Sequence, residues 1–291
     1  MVSERPAGIP ESAHALWDDG VADTRVRPGD LWILSWDGAV VGLAVIAAAK
    51  HGFVLAWPVT LPGEVSFSPG LVVDDSPLGR PVTLWVTRET GIGNHLLDRN
   101  LGRLLEPDRI RPLSFALDHG DDPGLNFAAD SAQSADNADA DRVLIEHWTD
   151  LCFNTGGAEE GVFLDSSKLQ QAGGTARIVG EALGVGPQEV RPLLTGVLPI
   201  SAKQLETVAQ RLHVESESLI GTDPLADVVT DLAQPSFKRH IVLRTAETGI
   251  GEGAIRRHAR REFALAARND ADALRETKLR DAIDRAGRDG K

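Results

Sequence analysis

The chain has 291 residues, 42% of them apolar, which is enough to bury a sizeable core and to divide into two or three units of ordinary domain size. Its formal net charge of -13 excludes a polyanion-coating surface, so any anion-binding face must be a local concentration of Arg and Lys. A lone cysteine, Cys152, excludes an internal disulfide and a Cys-based zinc site, and the longest apolar run, residues 40–49, is broken by Gly42 and too short to span a bilayer. The expectation is a cytoplasmic protein with no membrane association and no export leader.

In chain order, residues 1–117 carry short apolar runs with β-branched residues and Trp at 31–36, 40–49, 53–59, 65–67, 71–73 and 82–86, punctuated by Gly, Pro and Asp. This pattern predicts five or six short strands in a small β-barrel-like domain, with a closing helix over HLLDRNLGRL. Residues 118–141 hold seven Asp and no Lys or Arg, which predicts a flexible, self-repelling acidic linker. From 142 to 235 helices are expected, beginning with RVLIEHWTDLCF, where Val143, Leu144, Trp148 and Leu151 have helical spacing. Residues 236–291 read as a strand followed by a basic helical extension. The fold class is therefore α+β and multi-domain. One pentapeptide, ETGIG, occurs at 89–93 and again at 247–251, each time after a β-rich run, and predicts either a strand-turn-helix connection capped by Thr90 or Thr248 or a helix N-terminus whose backbone N–H groups hold a phosphate.

Between 175 and 221 the apolar positions fall into consecutive short helices. Ile178, Val179, Ala182 and Leu183 make one stripe that Gly184 ends. Pro187 then suits a first helical turn ahead of Val190, Leu193 and Leu194, and Ser201 caps a helix that buries Leu205, Val208, Ala209 and Leu212. The stretch ALGVGPQEVRPLLTG with the tail S-x-x-x-L-x-x-V-A-x-x-L-x-V resembles the lambda-repressor-like, or XRE, helix-turn-helix family over about 166–221. The resemblance implies that the helix from Pro187 enters the major groove of double-stranded DNA, that Gln188, Glu189 and Arg191 lie where base and phosphate contacts are made, and that the protein acts as a homodimer. Thr195 and Lys203 complete the candidate set in this segment. Pro192 stands inside the same helix, and from 168 to 221 five basic residues face five acidic ones, so the module is neutral.

The charge balance reverses between 237 and 268, where eight Lys and Arg stand against three Glu. On a helix starting near Gly253, Arg256 with Arg260 and Arg257 with Arg261 are four apart, which predicts a broad phosphate-tracking face opposite Ile255, Ala259, Phe263 and Ala266. A solvated helix with its arginines paired elsewhere is the alternative.

At the other end, RPGDLWILSW, the strand-rich body and LDRNLGRL are similar to the MazF and PemK toxin family over about residues 27–110, which implies a small SH3-like barrel and RNA cleavage aided by an Arg in the loop between the first strands. Residues 35–49 contain neither Arg nor Lys. No catalytic residue, metal ligand or cofactor is expected. The dispersed His51, His95 and His119 form no motif, His147 reads as a half-buried helix residue and Cys152 as a small core residue. The leading expectation is a transcriptional regulator of the XRE type whose N-terminal domain docks a protein partner or senses a small-molecule effector. Two alternatives remain: an endoribonuclease domain fused to an antitoxin-like helix-turn-helix, and a non-catalytic interaction adaptor.

Overall fold

The computed structural model describes residues 5–64, 66–129, 134–266 and 274–288. The chain divides into two compact units, one made of residues 1–156 and 233–252 and the other of residues 157–232 and 253–291.

The first unit starts with helix α1 (His14–Asp19) and an antiparallel sheet of β1 (Asp30–Trp36), β2 (Ala39–Ala49), β3 (Phe53–Thr60), β4 (Leu71–Val73), β5 (Val82–Leu84), β6 (Thr90–Gly93), β7 (Leu97–Arg103) and β8 (Asn126–Phe127). The strand order is β7-β1-β2-β3-β5-β4-β8, and β6 pairs the first half of β3 while β5 pairs its end. Alternation explains why β1 reads as an unbroken apolar run. Leu31, Ile33, Leu43, Val45, Trp57 and Val59 point to one core with Trp17, whereas Trp32, Leu34, Ala44, Ile46, Val54 and Ala56 point to another. Helix α2 (Pro107–His119) adds Ile110 and Leu113 to the first core, and α3 (Ser134–Phe153) adds Trp148 and Leu151 to the second.

The expected barrel is corrected to an open sheet. Closure would require β7 to pair with the far edge, but β4 and β5 are three residues each and β8 two, too short to carry the sheet round. Helices cover both faces instead. The expected closing helix over 95–104 is also corrected: Leu97–Arg103 is strand β7, paired with β1. Part of the acidic stretch 118–141 is ordered, since Asn126 and Phe127 pair with Val72 and Leu71, and α3 begins at Ser134. Arg88 holds Asp141 through two hydrogen bonds of 2.8 and 2.7 Å. Residues 130–133 of that stretch, and Val65 of the expected strand at 65–67, lie outside the described residues.

The RPGD segment has a structural purpose. Gly29 has φ +88°, its N–H donates to the Ile46 carbonyl, its own carbonyl accepts from Leu104 and Leu105, and a Cβ there would meet the Leu105 oxygen at 2.0 Å. Asp30 follows, 5% exposed, accepting from Asn100 at 3.4 Å with Arg103 at 3.9 Å. Burial pushes its carboxyl above the ordinary value and Asp23 adds to the rise, outweighing the Asn100 hydrogen bond and the charges of Arg103 and Arg27. A carboxyl raised in the folded state stabilises fully below its unfolded pKa and loses that contribution as pH rises through the folded pKa. Asp30→Asn is therefore expected to melt higher than the wild type at pH 7, with the gap closing below an unfolded value of about 3.9. A lower melting temperature at pH 7 would contradict this.

The second unit contains β9 (Phe163–Leu164), α4 (Ser166–Gln171), α5 (Ala176–Leu183), α6 (Pro187–Leu194), α7 (Ala202–Leu212), β10 (Ile220–Gly221), which pairs β9, and α8 (Ala226–Leu232). The chain returns to the first unit as α9 (Pro235–Thr248), and α10 (Glu252–Ala266) and α11 (Arg275–Arg285) complete the second unit. The strand expected near 236–248 is corrected to helix α9. Its run of Ile241, Val242 and Leu243 suits a strand locally, but the buried residues Phe237, Lys238 and Ile241 have helical spacing. The repeated pentapeptide takes two different structures, strand β6 at its first occurrence and the junction of α9 and α10 at its second.

Lys238 fixes α9 in the first unit. It is 1% exposed, and its ammonium donates to the Ser35 carbonyl at 2.8 Å, the His95 carbonyl at 2.9 Å and both Glu252 oxygens at 2.8 and 2.9 Å. Glu252 is 0% exposed, and its N–H donates to Asp37 in the β1–β2 turn at 2.5 Å. Removing one member of such a pair leaves a buried charge uncompensated, so Lys238→Met should lower urea-unfolding stability by about 3–5 kcal/mol. The double variant with Glu252→Gln should recover part of that loss, since the Ser35 and His95 carbonyls still lack their donor. Losses that simply add in the double variant would contradict the coupling.

Candidate nucleic-acid interface

The segment from α5 to α7 is shaped by cap chemistry. Thr175 accepts from the Ile178 N–H at 3.3 Å to start α5, and Gly184 at φ +68° ends it, donating to the Gly180 carbonyl. Gly180 allows α6 to approach α5, since a Cβ there would meet Val190 Cγ2 at 3.1 Å and the Val185 oxygen at 3.0 Å. Helix α6 buries Val190 and Leu193 against Val179, Leu205 and Val208, and so leaves its other face to solvent.

On that face Gln188, Glu189, Arg191 and Thr195 are all exposed, and Lys203 is exposed in the first turn of α7. Gln188, Arg191 and Thr195 recur at i, i+3 and i+7, which brings them onto one side of α6. The side chains of Gln188, Arg191 and Lys203 make no hydrogen bond or ion pair with another described residue, whereas two other basic residues of the module, Arg177 and Arg211, share Glu181 at 3.9 and 3.6 Å. Glu189 is committed to structure: its carboxylate accepts from the Gly186 N–H at 3.0 Å and sits at the positive end of α6. The Thr195 hydroxyl donates back to the Arg191 carbonyl at 3.0 Å. Pro192 interrupts one hydrogen bond, to the Gln188 carbonyl, but its own carbonyl accepts from Val197 and Leu198, and the eight-residue helix passes through it.

The basic face expected on α10 is not assembled. Arg256 is 5% exposed and donates to the Leu232 carbonyl. Arg260 is 2% exposed, donates to the Val197 and Gly196 carbonyls and to Asp223 at 2.6 Å, and lies 5.0 Å over the Phe163 ring. Arg261 grips Glu159 through two hydrogen bonds of 2.9 and 3.1 Å. Arg257 alone of the four is half-buried without a described hydrogen-bond partner, and Arg268 lies outside the described residues. The signal overlooked in the sequence is that Arg256 and Arg260 each directly follow a buried apolar residue, Ile255 and Ala259. The buried arc of α10 is therefore wide enough to include them.

In the first unit, β1 and β2 are joined by the two-residue turn Asp37-Gly38, both at positive φ, so no loop stands between them to carry a cation. His147 is exposed, 2.6 Å from the Val41 carbonyl, and Cys152 is exposed; both differ from the sequence reading because Leu144, Trp148 and Leu151 form the buried stripe of α3. Among the described residues no group of three or more His, Cys, Asp or Glu is placed to hold a metal, and no helix is long and apolar enough to cross a membrane. The chain matches no protein-family model, no curated protein and no solved structure.

Proposed function

We propose that this chain is a DNA-binding transcriptional regulator of the XRE helix-turn-helix type, acting in the cytoplasm as a homodimer, with α6 as its recognition helix and the first unit as a sensing or docking domain. The observation that carries the reading is the exposed face of α6, where Gln188 and Arg191 are uncommitted while Val190 and Leu193 anchor the helix in the core. Gln188 has the donor and acceptor needed for an adenine edge, and Arg191 suits a guanine edge or a phosphate. Two recognition helices in a dimer would enter successive major grooves one DNA turn apart.

The electrostatics set the expected strength. With Arg256 and Arg260 internal and Arg261 paired, Arg191 and Lys203 are the uncommitted cations near the face. Each phosphate neutralised contributes about -0.9 to the slope of log affinity against log salt. A slope of about -2 per protomer is expected, far shallower than for a strongly basic DNA binder. The affinity must then depend on base contacts and dimerisation.

Titrating the full-length protein with fragments of its own upstream region and with scrambled DNA across a salt series tests this. The Arg191→Gln and Lys203→Gln variants should each flatten the slope by about one unit per protomer, and Gln188→Ala should narrow the preference for the native fragment by about 1–3 kcal/mol. Charge removal at Arg256 or Arg260 is unsuitable, since it would strip the core of internal hydrogen bonds. Absence of binding at low salt, or binding indifferent to all three variants, would reject the reading in favour of protein docking.

A further inference from the structure

We propose that α10 regulates α6: an ionic stripe buried along α10 couples the first unit to the backbone that closes α6, so that loosening the Lys238–Glu252 pair loosens the end of α6. The stripe consists of Glu252, Arg256 and Arg260, spaced four apart on one side of the helix and 0%, 5% and 2% exposed. Glu252 belongs to the first unit and Gly253 to the second, so one continuous helix has its first residue in one unit and the rest in the other.

Each member of the stripe engages a different piece of chain. Glu252 accepts from the Lys238 ammonium of α9 at 2.8 and 2.9 Å, and its N–H donates to Asp37 at 2.5 Å. Arg256, about one turn on, donates to the Leu232 carbonyl at the end of α8, the last residue before the chain returns to the first unit. Arg260, a turn further, donates to the Gly196 and Val197 carbonyls and to Asp223. Those two carbonyls lie directly beyond Thr195, which closes α6. The amides of Gly196, Val197 and Leu198 in turn donate back to the Leu193 and Pro192 carbonyls of its last turn. Arg260 thus holds the loop that completes the helix carrying Gln188 and Arg191.

Buried ionic groups add little stability over apolar residues of the same shape, yet losing one partner is costly, which suits them to fixing register. Helix α10 also buries Ile255 and Ala259, but non-directional apolar contacts alone do not fix one exact position. The stripe does: a slip of one residue turns the helix by about 100° and moves it about 1.5 Å, which breaks all three sets of bonds together. The stripe is therefore engaged or released as a set, the discrete behaviour that coupling between separate sites requires. By this route an event in the first unit that displaces Lys238 weakens the hold on α6. The regulatory use rests on the DNA-binding reading, but the coupling is tested without DNA, so failure of one is distinguishable from failure of the other.

The experiment is amide hydrogen–deuterium exchange of the full-length protein, resolved by residue. In Glu252→Gln the amides of Gly196, Val197 and Leu198 are expected to exchange about fivefold or more faster. The amides of Val179 and Val208, in the buried faces of α5 and α7, should keep their rates. Coupling is reciprocal, so Asp223→Asn, which weakens the hold on Arg260 at a partly exposed site, should speed exchange of the Glu252 amide by a similar factor. This second variant keeps the test decisive if Glu252→Gln does not fold. Unchanged exchange at Gly196, Val197 and Leu198 in Glu252→Gln, acceleration spread equally over α5 and α7, or a Glu252 amide unmoved by Asp223→Asn would overturn the proposal.

Discussion

The ammonium of Lys238 is the constraint around which the first unit is organised. A lysine taken wholly out of water needs acceptors on every side, and it finds them in the end of β1, the 3-10 turn before β7 and the carboxylate that opens α10. Its Ser35 acceptor is 203 residues away in sequence, which makes α9 an integral part of a unit otherwise built from the first 156 residues. The Trp36 ring, 5.6 Å from the ammonium, and the edge of His95 against Trp36 extend the same cluster. His95 in turn meets Asn154 at 3.1 Å near the end of the unit's first segment.

The same principle governs the second unit, where Arg260 satisfies carbonyls at the end of α6 together with Asp223. A guanidinium has five donors in a fixed fork and can replace several missing backbone donors at once, as the buried Gly196 and Val197 carbonyls after α6 require. The C-terminal segment is basic in composition, yet much of its charge is spent inside the fold. Two roles that composition alone merges are thus separate: internal arginines and a lysine that hold elements together, and exposed ones such as Arg191 and Lys203, whose side chains have no partner among the described residues.

Local chemistry was legible in the sequence and distant chemistry was not. The boundaries of α5, α6 and α7 could be read because Gly184, Pro187 and Ser201 act on their own neighbours. The strands with β-branched residues could be read as well, and the two-sided burial of β1 was implicit in its unbroken apolar run. Strand β7 was misread because its leucines have helix-like spacing, and only pairing with β1, some seventy residues earlier, decides the matter. Helix α9 was misread for the converse reason, since a β-branched run is overruled by burial of one helical face. The cluster around Lys238 had no sequence signature at all, because Ser35, His95 and Glu252 come from three separate segments.

Arg256 and Arg260 are internal, whereas Arg191 of α6 is exposed and is the cation proposed to meet DNA. Arginine modification by phenylglyoxal, mapped by mass spectrometry with and without the native upstream fragment, tests both halves at once. Arg191 is expected to be modified in the free protein and shielded by DNA, while Arg256 and Arg260 stay unreactive in either state. Ready modification of Arg256 and Arg260 in the free protein, with shielding on addition of DNA, would contradict it.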